Sequence, residues 1–131
     1  MTHTLILPMA AHVLLTAGLY LLLTVARAPA VWGMGRRADG SNPWATIEPR
    51  ISANLSNQFE WPLFFHVAAV LLLASGPTVA SLLLAWIFVG GRLLHSLVQI
   101  GSRNVRLRGL IITINFLAVL GLWILLVLAR A

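Results

Sequence analysis

The chain has 131 residues, of which 60% are hydrophobic and only 9% are charged, whereas about 25% of the residues of a soluble domain are charged. A soluble protein of this size could not bury so much apolar surface, so the composition predicts a single integral membrane domain over residues 1–131. The net charge of +6 is the difference between nine basic residues, all of them arginine, and three acidic residues, and cysteine is absent. These counts exclude disulfides and thiolate metal sites and, since no soluble basic module is present, argue against nucleic-acid binding.

The first helix is predicted over residues 5–27. Residues 5–26 carry no charge and exceed the roughly 20 apolar residues that cross a bilayer. The sequence Ala28-Pro29-Ala30 resembles a signal-peptidase site, but no basic residue precedes the apolar run and the run is too long for a signal peptide. We therefore expect a retained membrane helix, in which His12 stands alone among apolar residues and has a structural role.

The second helix is predicted over residues 50–74, after a glycine- and proline-rich connection at residues 28–49. Pro49 suits the first turn of this helix. Its purely apolar part, residues 61–74, is too short to span a bilayer, so the helix must include Glu60, which then lies below the membrane surface. His66, like His12, is interpreted as structural.

The third and fourth helices are predicted over residues 78–101 and 108–130, separated by a polar connection that carries arginine. The four helices are expected to form an antiparallel bundle in which both arginine-bearing connections lie on one side. The positive-inside rule places that side in the cytoplasm and the termini outside. The exclusive use of arginine is typical of GC-rich bacterial genomes, so we expect a bacterial inner membrane.

Two polar faces interrupt the apolar pattern. The face on the third helix and just beyond it consists of Arg92, His95, Gln99, Arg103 and Arg106. The face on the second helix consists of Arg50, Asn54, Asn57 and Glu60. Steps of three and four residues place each set on one side of its helix. Since hydrocarbon cannot solvate such faces, we expect them, with Arg27, to line a basic pocket open to the cytoplasm.

Glu60 and Arg92 are predicted to interact. Each lies about 15 Å along its helix from an arginine at the predicted cytoplasmic side, at 1.5 Å per residue, so the two charges are expected at the same depth in the membrane. An unpaired charge there costs roughly 3 kcal/mol on insertion scales. We therefore expect the two groups to be paired or bridged, within one subunit or between subunits. Gly90 and Gly91 would let a neighbouring helix approach closely.

Residues 57–65 (NQFEWPLFF) and 92–96 (RLLHS) are similar to the MAPEG family, the membrane-associated proteins of eicosanoid and glutathione metabolism. The resemblance implies a four-transmembrane-helix bundle assembled as a homotrimer, with glutathione sites between subunits that open to the cytoplasm. It implies a glutathione-dependent transferase or peroxidase that acts on lipophilic electrophiles or lipid peroxides. Other members isomerise oxygenated lipids, and some bind lipid without chemistry.

The resemblance also assigns roles. Asn57 and Glu60 match a pair that holds the polar backbone of glutathione, and Arg27 resembles an arginine that reaches one of its carboxylates. Arg106 or Arg108 lies near the family's thiolate-stabilising arginine, and the spacing does not choose between them. The ligand-binding residues expected from the two faces and the resemblance together are Arg27, Arg50, Asn57, Glu60, Arg92, His95, Gln99 and Arg103.

Two positions depart from the family pattern. Ala53 stands where an arginine is common, and Arg50, one turn nearer the surface, is the candidate to replace it. Gln99 stands where many eicosanoid-forming members have tyrosine, which argues against a mammalian eicosanoid substrate. Two alternatives stay open: a non-catalytic protein that binds lipid or an anionic ligand in the same cleft, and a small transporter that uses Glu60 as an ion- or proton-coupled group.

Overall fold

The computed structural model describes residues 4–131, which form five helices. These are α1 (Ile6–Trp32), α2 (Glu48–Asn57), α3 (Pro62–Ser75), α4 (Val79–Gly101) and α5 (Val105–Leu128). The pair α2–α3 forms one span, Glu48–Ser75, so that the chain has four helical segments long and apolar enough to cross a membrane. The all-α, multi-pass membrane architecture is thus confirmed.

The second span is broken where the sequence predicts one continuous helix. Residues 58–61 form a bend between α2 and α3. Pro62 causes the break, because proline has no N–H to donate and its ring clashes with the preceding turn. The new helix starts with bonds of 3.1 and 3.0 Å from the N–H groups of Leu63 and Phe64 to the carbonyls of Glu60 and Trp61.

The ends of two other helices also differ from the predicted bounds. Helix α1 continues past Arg27, through Pro29, to Trp32, and is capped by Gly33, whose φ of 72° is a left-handed conformation suited to glycine. Helix α5 begins at Val105 because the Asn104 side chain accepts a hydrogen bond of 3.0 Å from the Leu107 N–H.

In the connection before α2, the Ser41 hydroxyl and N–H donate to Asp39 and hold the pKa of its carboxyl below the ordinary value.

Two separate apolar clusters hold the helices together. The larger joins α3, α4 and α5, with Phe65 and Phe88 stacked 4.3 Å apart at its centre. The smaller joins α1 and α2 around Leu23, Ile51 and Leu55. The outer faces are apolar as well, as expected where a bundle contacts lipid rather than water.

Alternating helix directions bring the C-terminal ends of α1 and α4 to the same end of the bundle as the N-terminal ends of α2 and α5. The residues at this end include Arg27, Arg36, Arg37, Arg50, Arg103, Arg106 and Arg108. We call it the arginine-rich end. Arg130 lies near the opposite end, where it donates to Ser75 at 3.1 Å.

Candidate functional site

Arg92 is the most deeply placed charge of the bundle. Its residue surface is only 5% exposed, and helix α4 directs its guanidinium toward the end of α2. Nε donates to Gln58 Oε1 at 3.2 Å, and Nη2 donates to the Asn57 carbonyl at 3.2 Å. Both acceptors are uncharged, so hydrogen bonds and not an ion pair satisfy this cation within the chain.

Asn54 is the centre of the buried polar network between α2 and α4. Its Nδ2 donates to Gln99 Oε1 at 2.8 Å and lies 3.5 Å from His95 Nδ1. Its Oδ1 accepts from Ser96 Oγ at 2.8 Å and from Gln58 Nε2 at 3.2 Å. Each of these groups would be costly to bury alone, and together they satisfy one another.

Glu60 and Arg92 form no direct ion pair within the described chain. Glu60 is exposed, and it forms no ion pair with any of residues 4–131. The bend at residues 58–61 explains the difference, because Glu60 lies beyond the end of α2 and does not continue its polar face. A bridged contact within one chain and pairing with Arg92 of another subunit both stay predictions.

Gln58 is the residue that the sequence analysis missed. It is 3% exposed and accepts hydrogen bonds from both Arg92 and His12. The sequence could have predicted its place on the polar face, because Arg50, Asn54 and Gln58 recur every four residues and so lie on one side of a helix. Asn57, the last residue of α2, also contacts Gln99 as the predicted face requires, whereas Glu60 was assigned to that face by assuming a continuous helix, which the structure interrupts.

His12 and His66 do not stand alone. His12 Nδ1 and His66 Nε2 are 2.9 Å apart, and His12 Nε2 lies 2.9 Å from Gln58 Oε1. The two histidines therefore extend the polar network from Arg92 to α1 and α3. Sequence spacing offered no signal for this contact, since the residues come from different helices.

A cationic cleft of about 450 Å³ opens at the arginine-rich end. Its lining consists of Pro49, Arg50, Ala53, Gln99, Ser102, Arg103, Val105 and Arg108. Gln99 connects it to the buried network, because Gln99 also accepts from Asn54. Three guanidinium groups with polar neighbours suit an anion that carries carboxylates. We call this site the cationic cleft.

The predicted five-residue stripe divides at the end of α4. Arg92, His95 and Gln99 face α2, whereas Arg103 follows Ser102, where the backbone leaves the helix. Arg103 still lines the cationic cleft. Arg106 lies on α5, is exposed and is not part of that lining, whereas the half-buried Arg108 is.

Arg27 lies away from the cationic cleft of its own chain. Its Nε donates to Glu48 Oε1 at 2.7 Å and its Nη2 to Ser52 Oγ at 3.2 Å. Ser52 and Arg50 are about 200° apart around α2, at 100° per residue. Arg27 and Arg50 are therefore on opposite sides of that helix, and one ligand cannot contact both within a single cleft of one chain.

One buried side chain on α4 and one on α5 keep polar atoms without a partner in the described chain. Among the described residues, His95 Nε2 and both amide atoms of Asn115 have no hydrogen-bond partner. Asn115 sits against Gly91, since a Cβ built on that glycine would come 1.9 Å from Asn115 Oδ1. The close approach predicted at the glycine pair is thus made at Gly91 by a side chain, whereas Gly90 has open space beside it.

Comparison with known proteins assigns the chain to a family. Neither a curated protein nor a solved structure is significantly similar to the chain. The sequence profile of the MAPEG family matches residues 5–128, which is nearly the whole chain and includes all four spans and both parts of the polar site. The protein therefore belongs to the MAPEG family of integral membrane proteins.

Proposed function

We propose that the protein binds glutathione in the cationic cleft and joins it to lipophilic electrophiles. The observation that carries this proposal is the convergence of Arg50, Arg103 and Arg108 from three different segments on one cleft. Glutathione has two carboxylates, an ammonium group and a thiol, so a cleft with several guanidinium groups provides partners for its acidic groups. Membership of the MAPEG family supports the choice of this tripeptide.

Thiol activation is the chemical task of this site. A thiol with a pKa near 8.5 is only a few per cent thiolate at pH 7, so a nearby cation raises the fraction of the nucleophile. We assign this role to Arg108, because it lines the cleft and Arg106 does not. With an aryl chloride, the sulfur forms a bond to the ring carbon, the carbon–chlorine bond breaks, chloride leaves with the electron pair and the thiol proton passes to water.

A homotrimer completes this proposal. Arg27 and Glu60 do not lie in the cleft of their own chain, whereas a neighbouring copy could present its own α1 and the bend after α2 to that cleft. There Arg27 would bind a carboxylate and Glu60 the ammonium group of glutathione. Asn57, Arg92 and His95 hold the cleft wall through the network around Gln99 and Gln58.

A matched pair of variants tests the assignment. We expect Arg108→Leu to lower kcat/KM for 1-chloro-2,4-dinitrobenzene about 100-fold, as removal of one charge-stabilising donor commonly does. Arg106→Leu, two residues away and outside the cleft, is the control and should retain most of the activity. Calorimetry with detergent-solubilised wild type should detect glutathione binding. Absence of binding would refute the proposal, and equal losses in both variants would refute the role of Arg108.

The second candidate function is binding without catalysis. Gln99 favours it, because its Oε1 is already engaged by Asn54 and the side chain supplies no phenol to a bound thiol. This candidate predicts glutathione or lipid binding in the same cleft, with no turnover of an aryl halide or a lipid hydroperoxide. The calorimetric and kinetic measurements above distinguish the two functions directly.

A further inference from the structure

An apolar groove of about 250 Å³ runs between α1 and α4 and ends near the arginine-rich end of the bundle. Its one polar side chain is engaged elsewhere, because Ser96 Oγ donates to Asn54 Oδ1 at 2.8 Å. The groove therefore offers contacts to hydrocarbon alone. We call it the α1–α4 groove. Its walls are formed by Leu15, Leu19 and Leu22 of α1 and by Leu93, Leu97 and Ile100 of α4.

The α1–α4 groove faces away from the surfaces that the proposed homotrimer uses. At 100° per residue, Leu22 lies about 140° around α1 from Arg27, which would reach the neighbouring copy. Leu97 lies about 160° around α4 from Gln99, which lines the cationic cleft. Leu22 and Leu97 are 39% and 61% exposed. In a bundle that spans a bilayer, the partner left for these side chains is lipid.

A cation lies beyond one end of the groove, on the same side of α1. Leu15, Leu22 and Pro29 are seven residues apart, so they lie within about 40° of one another around the helix. Arg36 folds back onto this side, since its Nε donates to the Pro29 carbonyl at 2.8 Å and its guanidinium carbon would lie 3.8 Å from a Cβ at Gly33. Its two terminal nitrogens form no hydrogen bond or ion pair with residues 4–131, so they can bind an external anion.

The distance between the groove and this guanidinium matches the dimensions of a phospholipid. Pro29 lies seven residues beyond Leu22, which is about 10 Å along α1 at 1.5 Å per residue. The headgroup layer on each side of a bilayer is about 5–8 Å thick. A lipid with an acyl chain in the groove would thus have its phosphate near Arg36. The arginine-rich end is also the end predicted to face the cytoplasm, where the leaflet contains anionic lipid.

We propose that the α1–α4 groove binds an acyl chain of an anionic phospholipid, whose phosphate is held by the guanidinium of Arg36. Guanidinium groups suit phosphate oxygens, and an anionic headgroup is preferred because a zwitterionic one carries its own cation. The headgroup contact supplies the preference, since the acyl chain finds similar contacts in the groove and in the bilayer. This site is independent of glutathione binding, because the groove and the cationic cleft share no lining residue.

Two photoreactive lipids test the proposal in liposomes. Both carry a diazirine in the first half of one acyl chain, and they differ only in the headgroup, which is phosphatidylglycerol or phosphatidylcholine. We expect the phosphatidylglycerol probe to label residues 15–22 and 93–101 about fivefold more than the phosphatidylcholine probe, the factor for one arginine near an anionic lipid surface. Equal labelling by the two probes, or labelling spread evenly over all four spans, would overturn the proposal.

A matched pair of arginine variants locates the headgroup. Arg36→Gln keeps a donor for the Pro29 carbonyl but removes the charge, so the preference for phosphatidylglycerol should vanish. Arg37→Gln removes the adjacent charge of the same connection and should retain the preference. Equal losses in the two variants would overturn the assignment of the headgroup to Arg36.

A second pair of variants locates the acyl chain. Leu97→Trp fills the groove with an indole ring and should abolish the preferential labelling of residues 15–22. Leu94→Trp, at an exposed position outside the groove, is the control and should be labelled like wild type. Undiminished labelling of Leu97→Trp would overturn the site. Crosslinks that join two copies through the groove would overturn it too, since a second subunit and not lipid would then occupy it.

Discussion

The two halves of the second span differ in how they contact their neighbours. Helix α2 and the C-terminal half of α4 meet through amide, imidazole and guanidinium groups centred on Asn54 and Arg92. Helix α3 and the N-terminal half of α4 meet through apolar contacts centred on Phe65 and Phe88. We call these regions the polar half and the apolar half. One break at Pro62 separates them.

The difference shows which forces act in each region. In a bilayer, lipid solvates apolar side chains as well as protein does, so the apolar half depends on close packing, to which Ala68 and Ala69 contribute by their small size. The polar half has no such alternative, because its groups lose their hydrogen bonds when the helices separate in lipid. We therefore expect the polar half to tolerate substitution least.

The largest effect should come from the centre of the network. Asn54→Leu removes hydrogen bonds to four side chains and leaves several buried polar groups unmatched, each worth about 1–3 kcal/mol. We expect a loss of about 3 kcal/mol in the free energy of unfolding, measured by SDS-induced unfolding in mixed micelles. Phe65→Leu in the apolar half should cost about 1.5 kcal/mol or less. A larger loss for Phe65→Leu would reverse the comparison.

A matched control exists within α2. Asn57 is only half-buried, and its side chain makes one long hydrogen bond of 3.4 Å to Gln99. Asn57→Leu should therefore cost less than about 1 kcal/mol, in line with the net worth of one ordinary hydrogen bond. If Asn54→Leu and Asn57→Leu were equally destabilising, general polarity of α2 and not the network would be responsible.

The next largest effect on stability is expected at Gly91, at the boundary of the two halves. Gly91→Ala would place a Cβ 1.9 Å from Asn115 Oδ1, so that the buried Asn115 side chain must shift or α4 and α5 must separate locally, at a cost of about 2 kcal/mol. Gly90→Ala, with open space at its Cβ, should be neutral or slightly stabilising because alanine favours helix. The double variant Gly91→Ala/Asn115→Ala should recover most of the loss. Failure of that recovery would show that Asn115 is not the obstacle.

Removal of the buried charge should change stability less than its depth suggests. Arg92→Met eliminates two charge-assisted hydrogen bonds but also the cost of burying a guanidinium without an acidic partner in the same chain. We expect the free energy of unfolding to stay within about 1 kcal/mol of wild type, since these terms oppose each other. A loss of about 3 kcal/mol or more, matched by Glu60→Gln and not additive with it, would instead reveal a pair between subunits.

The sequence predicted the four spans and the buried polar residues better than it predicted the contacts that those residues make. Apolar run lengths and arginine placement were sufficient for four spans, because bilayer thickness fixes the length of each run and the positive-inside rule concentrates arginine in the connections on one side. The buried positions of Arg92, His95 and Asn54 followed from helical spacing. The bend at residues 58–61 did not, because helical spacing assumes an unbroken helix, and Glu60 was therefore assigned to the polar face of α2 although it lies beyond the end of that helix. The contact between His12 and His66 depends on tertiary packing and leaves no periodic signal.

The smallest effect on stability should come from the salt bridge at the arginine-rich end. The side chains of Arg27 and Glu48 are 49% and 23% exposed, so solvent screens their attraction. We expect Arg27→Gln to lower the free energy of unfolding by no more than about 0.5 kcal/mol, in the usual range for exposed pairs. Ser52→Ala, which removes the second contact of Arg27, should have a similarly small effect.

Arg27→Gln should have a large effect on the proposed reaction despite its small effect on stability. This contrast separates the role of Arg27 in folding from its role in a ligand site. If Arg27 binds glutathione in the cleft of a neighbouring copy, Arg27→Gln and Arg108→Leu damage different subunits of each shared site. Co-expression of the two variants should then restore part of the activity that each lacks alone, since some interfaces receive intact Arg27 from one copy and intact Arg108 from the other. Co-purified mixed assemblies with no recovered activity would show that the two arginines act within one chain, against the geometry that places them on opposite sides of α2.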